Sequence, residues 1–335
     1  MPAKRPYAAV FVHGLAKKPP PEKLTEIWLW GLNRDNPMPN VFAPPNAGVD
    51  LSTHGVTQRF NYYADVFYGT NYETDFDSYY EANDDRELAT EDLDRIESGL
   101  RLPQPVTPRE HEFLREFEAK LTAQLALLPS EPSTEPRKAA AGGEKYEIAS
   151  WLPDEVKQAI IKKAAMEAYY FLFDKEYVRQ DGVRFKVRQE LRSRLLRELA
   201  AATAKAERVV IVSHSMGTMV AYDVLRNCPE CPPVDTLITL GSPLGIREVQ
   251  QELIAVDAKD VDFPAAKLGR WVNVYDPLDP VCGADPKLAD DYAPVGGKSV
   301  VDVKESNWGS WRHTITHYFA GTQLRAQFAK AVGIA

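Results

Sequence analysis

The chain has 335 residues, 44% of them hydrophobic, and its 48 acidic and 40 basic side chains give a formal net charge of −8. This length and composition are typical of a globular protein with one large domain or two smaller ones. The negative charge, and the absence of a Lys/Arg-rich block with interleaved aromatics, argue against a nucleic-acid partner. No apolar run reaches the ~20 residues of a transmembrane helix.

Five short apolar runs predict strands, at 7–12, 208–213, 236–240, 271–275 and 299–303. Helical or loop stretches separate them, so the fold class is α/β, with a mostly parallel sheet flanked by helices. The run at 56–68 alternates more in polarity and predicts an antiparallel or edge element. Helical periodicity predicts helices at 108–128, 154–173, 184–205, 218–226 and 322–332.

The first predicted strand is also relevant to the location of the protein. Residues 7–12 are too short for the apolar region of a secretory signal peptide. Three cysteines, an odd number in a large chain, argue against a disulfide framework and favour a reducing, cytoplasmic location. Cys228 and Cys231 have Cys-x-x-Cys spacing, but no second pair or nearby histidine completes a zinc site. We expect structural thiols and no bound metal.

Residues 70–205 are predicted to be a large, mainly helical insertion. Eleven acidic side chains and two arginines occur in 71–100, and without a calcium-loop pattern they predict a solvated surface. Residues 129–145 have the composition of a flexible linker. Residues 151–205 are a candidate cap or lid. The broadly apolar helix at 151–173 either covers an apolar pocket or packs in the core, and the sequence leaves both open.

The strand 208–213 leads into Ser213-His214-Ser215-Met216-Gly217. Small residues at 213 and 217 flank Ser215, as the sharp strand-to-helix turn of a nucleophile elbow requires. Such a turn presents a serine hydroxyl to substrate, with the N-terminal amides of the next helix beside it. The alternative is that Ser213 or Ser215 only caps the helix.

A nucleophilic serine needs a histidine base, which in turn needs an acid. Asp276 and Asp279 follow the strand at 271–275, and His313 and His317 follow the strand at 299–303, as hydrolase chain order requires. Asp279 is the favoured acid, since Asp276 at the strand end is suited to an Asx-type turn. His317 is the favoured base because only a short loop would separate it from the last helix. Asp276 and His313 are the alternates.

The tetrahedral intermediate of such a reaction also needs preformed hydrogen-bond donors. The loop after the first strand, His13-Gly14-Leu15, allows close backbone approach, and the amides of Leu15 and Met216 are the expected oxyanion-hole donors. Gly14 and His214 are expected to support the site. His13 is expected to hold this loop through hydrogen bonds and not to act as the base.

These motifs together resemble the α/β-hydrolase superfamily, particularly lipase-like and GPI inositol-deacylase-like serine esterases. The resemblance rests on His317 and on Val-His-Gly-Leu at 12–15, Ser-His-Ser-Met-Gly at 213–217, Thr-Leu-Gly-Ser-Pro-Leu-Gly at 239–245 and Asp-Pro-Leu-Asp-Pro-Val at 276–281.

The resemblance implies one α/β-hydrolase domain over 1–335 and cofactor-independent cleavage of carboxylic esters through a Ser–His–Asp triad and an acyl-enzyme. The substrate would be a small-molecule or lipid ester, and a lid at 151–173 would make transient contact with a lipid interface. Two alternatives stay open: acyl transfer to an alcohol or lipid, and non-catalytic binding on the same scaffold.

Overall fold

The computed structural model describes residues 4–76, 79, 81–82, 87–131, 133–138, 146–149 and 151–334. The strands are β1 Arg5–Val12, β2 Thr57–Asn61, β3 Ser133–Lys138, β4 Tyr146–Ala149, β5 Glu176–Val178, β6 Arg184–Lys186, β7 Ala206–His214, β8 Val234–Leu240, β9 Leu268–Tyr275 and β10 Val300–Lys304. The α-helices are α1 Pro21–Asn33, α2 Ala64–Tyr68, α3 Leu93–Glu97, α4 Pro108–Leu125, α5 Asp154–Leu172, α6 Val187–Lys205, α7 Met216–Asn227, α8 Arg247–Gln251, α9 Ile315–Ala320 and α10 Thr322–Ala331. Short 3₁₀ turns lie at Thr90–Asp92 and Pro243–Gly245.

A six-stranded sheet in the order β10-β9-β8-β7-β1-β2 forms the centre of the molecule. All of its strand pairs are parallel, including β1 with β2, so the predicted element at 56–68 contains a parallel edge strand. The register pairs Val12 with Ser213 and His214 with Leu240. The loops after β1, β7 and β8 therefore leave the sheet on the same side, at the carboxyl ends of the strands, where open α/β sheets bind ligands. We call this side the sheet edge.

Helices cover both faces of this sheet. Successive side chains of a strand point to opposite faces, and in β7 Val209 and Ile211 join the core cluster that includes α6 and α7. Val210 and Val212 join the cluster that includes α1 and α10. Because both faces are covered, β7 is an unbroken apolar run, as expected for an interior parallel strand.

The α6 helix lies against the sheet, although it falls within residues 70–205. Its buried leucines recur every four positions, at 191, 195 and 199, and pack beside β1 and β7. The predicted helix at 184–205 begins later, at Val187, because Arg184–Lys186 pairs with Glu176–Val178 in a hairpin. Of the described helices, none combines the length and the apolar composition that spanning a bilayer requires.

The predicted linker at 129–145 is described only in part. Ser133–Lys138 forms β3, which pairs antiparallel with β4, so this part of the segment contains a strand. Residues 132 and 139–145 lie outside the described residues.

The prediction of a solvated acidic surface at 71–100 is wrong for three of its carboxylates. Glu81 is 1% exposed and pairs with Lys18 at 2.9 Å. Glu73 and Asp92 are also buried and pair with Arg95 at 2.6 and 3.0 Å. These acids are internal because each faces a cation, which reduces the cost of burying its charge. Residues 77, 78, 80 and 83–86 of this segment lie outside the described residues.

Candidate active site

Ser215 lies in a sharp turn between β7 and α7. Its backbone has φ 56° and ψ −130°, a left-handed conformation that costs a non-glycine residue about 1–3 kcal/mol. Gly217 allows the turn, because a Cβ there would lie 2.4 Å from the carbonyl oxygen of His13 and 2.6 Å from that of Val12. The start of α7 therefore packs directly on the end of β1.

The loop after β1 crosses next to Ser215. A Cβ on Gly14 would lie 2.5 Å from Cβ of Ser215, so a larger residue would displace the loop. His13 fixes this loop: Nδ1 donates to the Gly14 carbonyl at 2.7 Å, and Nε2 accepts from the Tyr63 N–H at 3.0 Å. These two bonds need a neutral ring, and burial together with the charge of Lys18 lowers the pKa of His13 to about 3.

The carboxylate of Asp279 is bonded to His313. Nδ1 of His313 lies 2.8 Å from Oδ2 and 2.9 Å from Oδ1 of Asp279. Asp279 also accepts from the Tyr318 hydroxyl and from the Val281 N–H, each at 2.7 Å. Burial alone would raise the pKa of Asp279, but His313 and these donors outweigh it and hold the pKa below its ordinary value. The carboxylate is therefore ionised and fixes the tautomer of His313.

His313 and Ser215 line the same cavity. The His313 ring packs on His214, with ring centroids 4.6 Å apart. Within the described part of the chain, neither Nε2 of His313 nor Oγ of Ser215 has a hydrogen-bond partner. The serine hydroxyl and the distal imidazole nitrogen of His313 are thus both uncommitted at this wall of the cavity. His214 is buried, which lowers its pKa well below the ordinary value.

The preference for His317 as the partner of Asp279 is corrected by this geometry. Residues 315–320 are not a loop but the helix α9, on which His317 is buried with its ring stacked on Trp308 at 3.7 Å between centroids. The alternate histidine, His313, comes before that helix and reaches Asp279.

The carboxylate of Asp276, the alternate acid, accepts hydrogen bonds from the backbone of two loops. It accepts from the N–H of Leu278 at 2.9 Å, an Asx-type turn, and from the N–H of Asn307 at 2.8 Å. Burial, its largest influence, raises the pKa of Asp276. This residue joins two loops at the sheet edge, while Asp279 contacts the histidine.

The two expected oxyanion donors are the N–H groups of Leu15, in the loop after β1, and of Met216, directly after Ser215. Leu15 lines the cavity, and Met216 is the first residue of α7. The structure records no hydrogen bond from either N–H to another described residue. Gly14, by contrast, has its carbonyl bonded to His13.

A cavity of about 70 Å³ adjoins Ser215 and His313. Its apolar wall includes Leu15, Leu88, Ile96, Ile160, Ala164, Val281 and Trp311. The helix α5 contributes Ile160 and Ala164, and all seven of its residues at 163–169 are buried. A run of this length covers every side of a helix, so α5 is both packed in the core and a wall of the cavity.

Two residues at the site were not predicted from the sequence. Tyr318 donates to Asp279, and Glu167 of α5 accepts from the Ala16 N–H in the loop after β1. Neither belongs to a motif, because each reaches the site through the packing of a helix. Among the described residues, no group of three His, Cys, Asp or Glu side chains could hold a metal ion.

Residues 140–263 match the family model of the PGAP1-like alpha/beta domain. Together with the parallel six-stranded sheet and its flanking helices, this match decides the fold. It is an α/β-hydrolase fold. The matched region contains Ser215, while Asp279 and His313 lie beyond its end.

Two solved structures resemble this chain. An uncharacterized protein from Pseudomonas aeruginosa is 11% identical with a TM-score of 0.30; the alignment covers 98% of this chain but only 46% of that protein. A hormone-sensitive lipase from a metagenome library is 13% identical with a TM-score of 0.27, over 73% of this chain and 95% of the lipase. Likeness at this level carries no information on activity. No curated protein sequence matches the chain.

Proposed function

We propose that the protein is a serine hydrolase that cleaves carboxylic esters, with Ser215 as nucleophile, His313 as general base and Asp279 as the acid that orients it. The observation that supports this most directly is the pair of 2.8 and 2.9 Å contacts between Asp279 and His313, in a cavity that also contains Ser215. In this proposal the turn at Ser215 is a nucleophile elbow.

In the first half of the reaction, Oγ of Ser215 attacks the ester carbonyl while Nε2 of His313 takes its proton. Asp279 stabilises the imidazolium that forms. The negative charge of the tetrahedral intermediate would be received by the N–H groups of Leu15 and Met216. The Ser–His hydrogen bond is not formed in the free protein, and such bonds commonly shorten only when substrate is bound.

In the second half, His313 returns its proton to the leaving alkoxide, and the alcohol departs, leaving the acyl group on Ser215. His313 then takes a proton from water, and the hydroxide attacks the acyl carbonyl. As this second intermediate collapses, the imidazolium of His313 gives its proton to Oγ of Ser215, which releases the carboxylic acid and restores the serine hydroxyl. Every proton and bond in this sequence is supplied by the protein, ester and water.

The cavity supports an ester with an apolar acyl part. Leu15, Leu88, Ile160 and Val281 supply carbon surface beside Ser215, and burial of an apolar acyl chain contributes about 25 cal/mol per Å². A cavity of about 70 Å³ favours short acyl chains over long ones.

The direct test replaces Ser215 with alanine and measures hydrolysis of p-nitrophenyl butyrate. Because the variant lacks the nucleophile, kcat is expected to fall by about 10⁴-fold or more, with an unchanged melting temperature. A variant that keeps most of the wild-type kcat would overturn the proposal. Added methanol tests acyl transfer, since a transferase would form methyl butyrate in preference to butyrate.

A further inference from the structure

We infer that Glu167, in the insertion, is a positioning residue that fixes the loop carrying one oxyanion-hole donor. We call residues 13–16 the oxyanion loop. Oε1 of Glu167 accepts from the Ala16 N–H at 3.0 Å, across 151 positions of sequence. The inference rests on the proposed function, in which the neighbouring Leu15 N–H receives the developing negative charge.

Leu15 is held from both sides. The Leu15 N–H belongs to the same planar peptide as the Gly14 carbonyl, and His13 is bonded to that carbonyl at 2.7 Å. In a trans peptide the N–H points opposite to the carbonyl, so this bond sets the direction of the Leu15 N–H. The next peptide carries the Ala16 N–H, which Glu167 holds. The two bonds together fix the backbone on each side of Leu15.

The backbone at Ala16 also needs such support. Ala16 has φ 77°, a left-handed conformation that costs a non-glycine residue about 1–3 kcal/mol. Strain of this kind persists only where the surroundings enforce it, and it is concentrated at functional sites. The hydrogen bond to Glu167 is the contact recorded for the Ala16 N–H, and without it the loop could relax away from its present conformation.

Glu167 is itself rigidly placed. It is 1% exposed, and the Tyr68 hydroxyl donates to the same oxygen that accepts from Ala16. Burial raises its pKa, while Lys163 one turn earlier in α5 acts in the opposite direction. Its two hydrogen bonds and the positive charges of Lys163 and Lys18 together support this carboxylate in the interior.

Glu110 on α4 provides a matched control. It is also a buried carboxylate that accepts from a backbone N–H, that of Val106 at 3.0 Å, and from a tyrosine hydroxyl, that of Tyr169 at 2.7 Å. It does not line the cavity beside Ser215. Loss of Glu110 removes the same two kinds of hydrogen bond and, in addition, a salt bridge with Lys175 at 2.8 Å, but only Glu167 contacts the oxyanion loop.

The experiment compares Glu167→Ala, Glu167→Gln and Glu110→Ala in the full chain, with p-nitrophenyl butyrate as substrate and a butyl trifluoromethyl ketone as transition-state analogue. For Glu167→Ala, kcat is expected to fall about tenfold to a hundredfold with KM within about twofold, because the oxyanion donors act in the transition state. Affinity for the ketone, which forms an oxyanion on Ser215, should fall by the same factor. Glu167→Gln keeps an acceptor for the Ala16 N–H and should restore most of kcat.

Glu110→Ala should lower the melting temperature without this loss of kcat or of ketone affinity. The inference is overturned if Glu167→Ala keeps wild-type kcat, or if its loss of kcat leaves ketone affinity unchanged. Wild type and Ser215→Ala are assayed in parallel. Failure of the proposed function would appear as turnover that does not depend on Ser215, whereas failure of this inference would appear as Ser215-dependent turnover that Glu167→Ala does not impair.

Discussion

The sheet edge and the insertion at 70–205 bury their polar groups in different ways. At the sheet edge, His13, Ser215 and Asp279 lie in turns directly after strands β1, β7 and β9, so the parallel strands themselves bring these residues together. In the insertion, Glu110 in the first turn of α4 and Glu167 within α5 accept from distant residues, Tyr169 and Ala16 respectively. Position at the sheet edge follows from strand register, while position in the insertion follows from side-chain packing.

The sheet edge and the insertion contribute different parts of the site. The sheet edge supplies the reacting groups, whose spacing a rigid parallel sheet keeps constant. The insertion supplies the wall of the cavity and a second support for the oxyanion loop. Substitutions at the sheet edge should therefore change the rate of the chemical step, and substitutions in the insertion should change substrate preference or the efficiency of transition-state binding.

After Ser215→Ala, the largest effect is expected at His313, and His317 on the following helix is its matched control. His313→Gln should lower kcat for p-nitrophenyl butyrate by about 10³-fold or more, because the serine loses its base. His317→Gln should leave kcat within about threefold, since that ring stacks on Trp308 and not on Asp279. Steady-state kinetics on both variants checks this, and a larger loss in His317→Gln would contradict the assignment.

A smaller effect concerns pH and the buried ring of His13. Its pKa is about 3 in the folded protein against an ordinary value of 6.5. The free energy of unfolding is therefore highest above the ordinary pKa of 6.5, where His13 is neutral in both states. It falls as the pH is lowered from 6.5 towards 3, because in this range the unfolded chain binds a proton on His13 and the folded protein does not. At pH 5 this loss is about 2 kcal/mol in the free energy of unfolding.

Urea unfolding between pH 7 and pH 5 measures this loss. His13→Gln, which cannot titrate, should show a shallower decline than the wild type. His111→Gln is the control, since the side chain of His111 is exposed on α4. Equal slopes for wild type and His13→Gln would show that His13 is not held neutral.

The smallest effect is expected in the insertion. Ile160 lines the cavity, so Ile160→Ala should enlarge it and raise the ratio of kcat/KM for p-nitrophenyl octanoate over butyrate by about threefold to tenfold. Ile161, the next residue of α5, is buried elsewhere in the core. Ile161→Ala should cost about 2–5 kcal/mol of stability and leave the chain-length ratio unchanged. A shifted ratio in both variants would mean that α5 does not act through Ile160.

The sheet was predictable because its strands carry their own signal. The runs within β1, β7, β8 and β9 are buried and mostly apolar on both faces, and turn residues bound them, whereas β10 at the end of the strand order is only partly buried. The same signal locates Ser215 and Asp279, each in a turn after a strand. The choice between His313 and His317 needed the start of α9, because this six-residue helix decides which ring lies beside Asp279 and which stacks on Trp308.

The insertion was less predictable, for a physical reason. Its helices have clear periodicity, but no periodic pattern tells which partner a buried charge will meet. Glu81 and Asp92 looked like surface acids and are internal because Lys18 and Arg95 reach them. Glu167 looked like one polar position in an apolar helix, and its contact with Ala16 depends on the docking of α5 against the sheet edge.

Covalent labelling shows whether Ser215 is an activated nucleophile. The folded protein is treated with a fluorophosphonate, digested with trypsin and analysed by fragmentation mass spectrometry. We expect one adduct, on Ser215 within the peptide 209–226, in the wild type and in His317→Gln, and its loss in His313→Gln. An adduct on another residue, or labelling of Ser215 that persists unchanged in His313→Gln, would show that Ser215 is not the nucleophile activated by His313.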